Sequence, residues 1–243
     1  RGPGMDGADV DGTADAVTEP ALLQAEALEC GYAGVPVTGR LDLVVRPGER
    51  VGVVGANAAG KSTVLRTLVG DQEPVAGRVR LEGLPVLPES AAHRRALSVL
   101  TDEDAYFPTL TVAEHLTIVA LGHGVPEPDR VVDRELEFFA LREAADAPPS
   151  RLSSGQRRRL LLAAALLRPF RLLALDEPEQ RLDAGMRERL TARLAALEPA
   201  SALVLVTHDP DVLAGAATRC LIVDGRVREA AVAEGAAWIR ERT

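Results

Sequence analysis

Hydrophobic and polar positions change period several times along the chain. β-like runs at Ala21–Cys30 and Leu41–Val45 precede the stretch Glu49–Val54, which ends at Gly55 and reads as a strand. Lys61–Val69 follows the period of a helix, and Gly70 stands where a helix would stop. Gly77–Leu81 alternates as a surface strand does, and Leu97–Leu100 is a further short strand. Leu172–Leu175 and Ala202–Val206 are apolar without alternation, the pattern of strands buried on both faces of a parallel sheet. Helical patterns separate these runs, so the predicted fold class is α/β with a parallel sheet.

From about 102 to 168 the pattern is mostly helical, with breaks at Pro126, Pro128, Pro148 and Pro149. Two helix starts carry capping boxes, Thr111 with Glu114 and Ser153 with Gln156. This region is expected to be a helical lobe inserted into the sheet domain. Residues 1–20 are dominated by Gly, Asp, Ala and Thr and offer almost nothing to pack, so a disordered acidic tail is expected there. The longest apolar run, Leu160–Leu167, is eight residues, whereas crossing a bilayer takes about 20. No membrane span and no secretory signal is read from the sequence, and the two cysteines, Cys30 and Cys220, lack disulfide or zinc-ligand spacing.

Composition changes this picture in two places. The formal net charge is −8, and seven acids against Arg1 between residues 1 and 29 carry −6 of it, so the remaining body is near neutral and no nucleic-acid partner is expected. Of 28 basic residues only one, Lys61, is Lys, and the other 27 are Arg. Codon usage in a GC-rich genome accounts for the Arg excess. It does not say why one Lys remains.

Lys61 lies in Gly55-Ala56-Asn57-Ala58-Ala59-Gly60-Lys61-Ser62-Thr63, which satisfies G-x-x-x-x-G-K-[ST] between a strand and a helix. In such a loop the backbone N–H groups curl around phosphate oxygens and the helix N-terminus adds its dipole. Lys61 would reach the β- and γ-phosphates, and the Ser62 hydroxyl would bind Mg²⁺. Downstream, the buried strand Leu172–Leu175 runs into Asp176-Glu177, at the carboxyl end where parallel sheets bind ligands. Asp176 is a candidate to hold Mg²⁺ through water, and Glu177 to orient or deprotonate the water attacking the γ-phosphate. The arginines 157–159 read as a solvated helix face.

Together with these, Leu152-Ser153-Ser154-Gly155-Gln156 resembles the signature motif of ATP-binding cassette (ABC) ATPases, commonly Leu-Ser-Gly-Gly-Gln. Leu182-Asp183 and His208 are similar in order and spacing to the family's D-loop and switch histidine, and Tyr32 to the aromatic residue on which adenine stacks. The resemblance covers about residues 21–230 and implies a P-loop NTPase (RecA-like) parallel core with an antiparallel β lobe and the helical lobe. It implies ATP and Mg²⁺ as ligands, with Glu177, His208 and Lys61 catalytic. Tyr32, Gly55, Asn57, Gly60, Lys61, Ser62, Thr63, Ser153, Gly155, Gln156 and Asp183 would bind nucleotide, and Ser62, Asp176 and Asp102 the metal. It further implies a homodimer or heterodimer of ATPase subunits, with Ser153 and Gly155 facing ATP held by the second subunit. Separate transmembrane permease subunits would place the chain at the cytoplasmic face of the membrane, docking near Asp102–Leu116, where Tyr106, Phe107 and Leu110 are candidate contacts.

Several positions depart from the family pattern. Asp102 stands where Gln is usual, an alteration shared with some exporter-type members that points towards export. Ser154 replaces a signature Gly, Glu179-Gln180-Arg181 is an unusual lead into Leu182-Asp183, and Ala58 stands where Gly is common. An Ala fits that position if its backbone does not require positive φ. Other readings are a soluble ABC ATPase acting on DNA, ribosomes or cofactor assembly, and a degenerate regulatory cassette. The first is disfavoured by the chain's length and cysteine count, the second by the intact Lys61, Asp176, Glu177 and His208.

Overall fold

A computed structural model describes residues 20–101 and 105–242. In chain order, β1 (Leu23–Glu29), the short β2 (Gly31–Tyr32) and β3 (Val35–Pro36), and β4 (Leu41–Val45) lead to β5 (Arg50–Gly55) and α1 (Lys61–Val69). Next come β6 (Ala76–Leu81), β7 (Leu84–Pro85), α2 (Ala91–Ala96) and β8 (Leu97–Leu100). The helices α3 (Val112–Gly122), α4 (Pro128–Phe138) and α5 (Ser154–Leu167) follow. The chain then alternates through β9 (Leu172–Asp176), α6 (Ala184–Ala195), β10 (Ala202–Val206), α7 (Pro210–Ala216), β11 (Arg219–Asp224), β12 (Arg226–Ala230) and α8 (Val232–Arg240).

Two main sheets result. An antiparallel sheet has the order β4-β1-β6-β7, and a six-stranded sheet has the order β12-β11-β5-β10-β9-β8. In the latter, β8, β9, β10, β5 and β11 are parallel, and only β12 runs against its neighbour. This is the expected α/β architecture with its β lobe.

The unalternating runs are explained by what covers them. In β9, Leu172 and Ala174 face a core shared with α1 and the antiparallel sheet, while Leu173 and Leu175 face the one built by α5, α6 and the inserted helices. Successive side chains of a strand point to opposite faces, so a strand covered on both must be apolar throughout. Central β5, β9 and β10 therefore deliver their carboxyl ends, Gly55, Asp176 and Val206, to one edge of the sheet.

The helical stop at Gly70 is realised as a left-handed residue, φ 84°, whose N–H returns to Thr67 O. Both capping boxes form at Thr111/Glu114 and Ser153/Gln156. The region 105–168 is tied to the core by a buried ion pair: Arg193 of α6 donates to both carboxylate oxygens of Glu135 in α4, at 2.6 and 2.9 Å, and stacks over Phe138 at 4.7 Å. Glu135 is fully buried. Arg193→Met is therefore expected to destabilise the fold by about 3 kcal/mol, because it leaves the buried Glu135 with only the exposed Arg134, 3.6 Å away, as an ionic partner. Urea denaturation monitored by circular dichroism measures this.

Candidate active site

The phosphate loop starts from β5, which is buried from Val51 to Gly55. Gly55 is needed for packing, since a Cβ there would stand 2.3 Å from Val223 O on β11. Gly60, at the start of α1, has φ 97°, and a Cβ would meet Thr38 at 2.8 Å. The condition set for Ala58 is not met, because the loop places it at φ 61°. Left-handed backbone costs a non-Gly residue about 1–2 kcal/mol, so the loop keeps its phosphate-binding shape at some local strain.

Lys61 is buried, and its Nζ donates to Ala56 O across the base of the loop at 2.8 Å. Burial pushes its pKa down, partly opposed by the nearby Glu177 and Asp176 carboxylates. From the end of β9, the buried Asp176 is pushed up by desolvation, an effect partly opposed by the neighbouring Ser62 hydroxyl. Asp176 Oδ1 has no hydrogen-bond partner among the described residues. A buried carboxylate with an open oxygen, beside a half-buried hydroxyl and a phosphate loop, fits a hard divalent cation.

Glu177 follows at φ 46°, its N–H bonded to Val206 O at 2.9 Å. Its Oε1 lies 2.8 Å from His208 Nε2, and its Oε2 accepts from the Gln180 amide. The hydrogen bond from His208 holds the carboxylate below its ordinary range. A cavity of about 350 Å³ gathers Tyr32, Asn57, Gly60, Lys61, Ser62, Thr63, Glu177 and His208. Tyr32 is largely exposed and its hydroxyl pairs with Thr63 Oγ1 at 3.0 Å, so the ring stands at the mouth of the phosphate loop.

Other candidates lie elsewhere. Ser153, Gly155, Gln156 and Asp183 do not line this cavity. Ser153 is exposed and caps α5 through Gln156 N at 3.2 Å, and Asp183 caps α6 through Met186 N at 2.8 Å. Gly155 approaches backbone closely within its own chain, since a Cβ there would stand 2.8 Å from Arg181 O. Asp102 lies outside the described residues. Of the apolar residues named for docking, Phe107 is exposed, whereas Tyr106 packs on the helical core and Leu110 is half-buried.

Two buried charged residues beside the site escaped the sequence reading. Arg158, expected on a solvated face, is buried and donates from Nη2 to Asp176 O at 2.5 Å and Glu177 O at 2.8 Å. Arg159 also bonds inward, to Phe139 O and Ala140 O at 3.1 and 3.3 Å. The signal was positional: Arg158 precedes the fully buried Leu162 by four residues, on the same stripe of α5. Glu179 is also buried, accepts from Thr207 Oγ1 and His208 N, and has its pKa raised by desolvation.

The sequence profile described as ABC transporter matches residues 38–180. The chain belongs to the ABC transporter family. It is 38% identical over 160 residues to the cytochrome c biogenesis ATP-binding export protein CcmA of Bordetella bronchiseptica, an alignment covering 65% of this chain and 69% of that protein. It is 35% identical over 146 residues to the Nod factor export ATP-binding protein I of Rhizobium etli, covering 59% of this chain but only 46% of that relative. The fold is shared with a dimeric ATP-binding cassette in a post-hydrolysis state bound to ADP and Pi, at TM-score 0.77 and 23% identity over 86% of this chain and 98% of that one. As an ABC ATP-binding subunit the chain has no helix among its described residues long and apolar enough to cross a membrane.

Proposed function

We propose that this ABC subunit hydrolyses ATP at a composite site formed by two ATPase subunits and so powers export through separate permease subunits. The observation that carries the reading is the Glu177–His208 pair at 2.8 Å in the same cavity as Lys61 and the phosphate loop. ATP would lie with adenine on Tyr32 and its phosphates over residues 55–63. Mg²⁺ would be held by Ser62 and Asp176, with Asp102 as a further candidate, and when bound it neutralises phosphate charge. Glu177 accepts a hydrogen bond from the attacking water, His208 orients Glu177, and Lys61 stabilises charge on the transferring phosphoryl group. The water oxygen bonds to the γ-phosphorus as the bond from that phosphorus to the bridging oxygen breaks, the water's proton passes to Glu177 or to a phosphate oxygen, and ADP leaves with the bridging oxygen beside inorganic phosphate.

The arrangement of the site supports a dimer. Ser153, at the exposed N-terminus of α5, cannot serve its own cavity, yet a capped helix end with free N–H groups suits a phosphate. It would face ATP on a second subunit, either another copy or a related chain. Export is favoured by the names of the CcmA and Nod factor relatives. Phe107 and the exposed Ile118 and Leu121 give the helical lobe an apolar face suited to a permease at the membrane's inner surface.

Complementation tests the composite site. Lys61→Ala and Ser153→Glu should each be inactive alone. In a mixed dimer one site inherits both defects and the other neither, so the mixture should regain ATP turnover. No recovery overturns a composite site between two copies of this chain, and wild-type hydrolysis by Ser153→Glu alone overturns the composite site altogether.

A further inference from the structure

Glu179 has no part in the chemistry derived above. Its side chain is nevertheless among the most buried carboxylates of the described chain, at 8% exposure. Burying a carboxylate is costly unless its hydrogen bonds return the loss, and an apolar side chain would fill the same space more cheaply. The position of those bonds is informative. One oxygen, Oε1, accepts from the Thr207 hydroxyl and also from the main-chain N–H of His208, the latter at 3.2 Å. Thr207 is itself fully buried, and its Oγ1 accepts from Asp209 N at 3.0 Å. The carboxylate thus joins the turn after β9 to the turn after β10, and the residue clamped between the bonds is His208. Two residues before Glu179, the carboxylate of Glu177 receives the His208 imidazole. The same short segment therefore supplies both the target of the imidazole and the anchor of its backbone.

We propose that Glu179 is a positioning residue for ATP hydrolysis: its buried carboxylate fixes the main chain at Thr207–His208 and so aims His208 Nε2 at Glu177. The inference rests on the reading of Glu177 and His208 as the catalytic pair. A displaced imidazole leaves nucleotide binding intact, because neither Glu179 nor Thr207 lines the cavity of Tyr32, Lys61, Ser62 and Thr63, and Glu179 borders only the adjoining cavity beside Gly55, Ala56 and Asn57. The consequence belongs to the chemical step, where small misplacements are expensive.

Steady-state ATPase kinetics on the full chain test it. Glu179→Leu should lower kcat by about 10- to 100-fold with KM for MgATP unchanged. Glu179→Gln, which keeps an acceptor oxygen, should restore most of the loss. In a His208→Ala background, Glu179→Leu should add no further loss, because its effect passes through His208. Wild-type kcat in Glu179→Leu, or an equal additional loss in the His208→Ala background, overturns the inference while leaving the catalytic pair in place. Wild-type turnover by His208→Ala overturns both. Should Glu179→Leu fail to fold, Thr207→Val removes one donor and spares the carboxylate: a lower kcat at unchanged KM supports the role, and wild-type kcat overturns it.

Discussion

Glu177→Gln is expected to cut ATP turnover by roughly 10²–10⁴-fold, the range for loss of a positioned general base, while nucleotide affinity stays within a few-fold of wild type. The substitution is nearly isosteric, so the strained backbone at φ 46° and the bond from Glu177 N to Val206 O are retained. What changes is the number of acceptors. Oε1 takes the hydrogen bond of His208 and Oε2 that of Gln180, and the carboxylate is held ionised by the first of these. Such a group is foremost an acceptor that orients water, and an amide offers only one oxygen for the task. ATP should then persist unhydrolysed, and if the site is shared between subunits the ATP-bound dimer should accumulate. Size-exclusion chromatography with and without MgATP, beside a phosphate-release assay, measures both effects. Unchanged phosphate release would remove Glu177 from the mechanism, and loss of nucleotide binding would show that it holds the substrate instead.

The parts of the site that were legible in the sequence share one property: their chemistry depends on neighbours close in the chain. A phosphate loop needs glycines, Lys61 and a hydroxyl within nine residues, and Asp176-Glu177 needs only the end of an apolar strand. The capping boxes at Thr111 and Ser153 are likewise set over four residues. The positive φ of Ala58 was not legible, because φ is decided by how the loop closes over Lys61 and Ala carries no mark of it. Arg158 and Glu179 were missed for a different reason. Each side chain satisfies backbone or side-chain groups on another strand end, at separations of 18 and 19 residues for Arg158 and 28 and 29 for Glu179. A charged residue on a helix or in a turn defaults to solvent unless the fold brings buried partners to it. Gly155 shows the converse, since its smallness answers to Arg181 O in the same chain, a contact that only the turn before α6 creates.

Lys61→Arg is expected to fail almost as completely as Lys61→Ala, with turnover lower by about 10²–10³-fold in each. Retaining the positive charge should not rescue the site, because the space is set by the loop. The ammonium of Lys61 sits 2.8 Å from Ala56 O, and the residue is only 5% exposed. A planar guanidinium carries its donors in a wide, rigid fork and cannot occupy the room of a compact ammonium. This separates shape from charge in a chain whose every other basic residue is Arg. Folding supplies the second readout. Burial already depresses the Lys61 pKa, so truncation to Ala relieves a desolvated charge and should cost the unliganded protein little stability. The ligand's contribution is another matter: a nucleotide at 100 times its Kd stabilises the folded state by about 2.7 kcal/mol. Wild type should therefore melt at a higher temperature when MgATP is added, and both variants should not. A Lys61→Arg protein that hydrolyses ATP normally would refute the steric argument, and a Lys61→Ala protein with the full MgATP-dependent rise would refute Lys61 as a phosphate ligand.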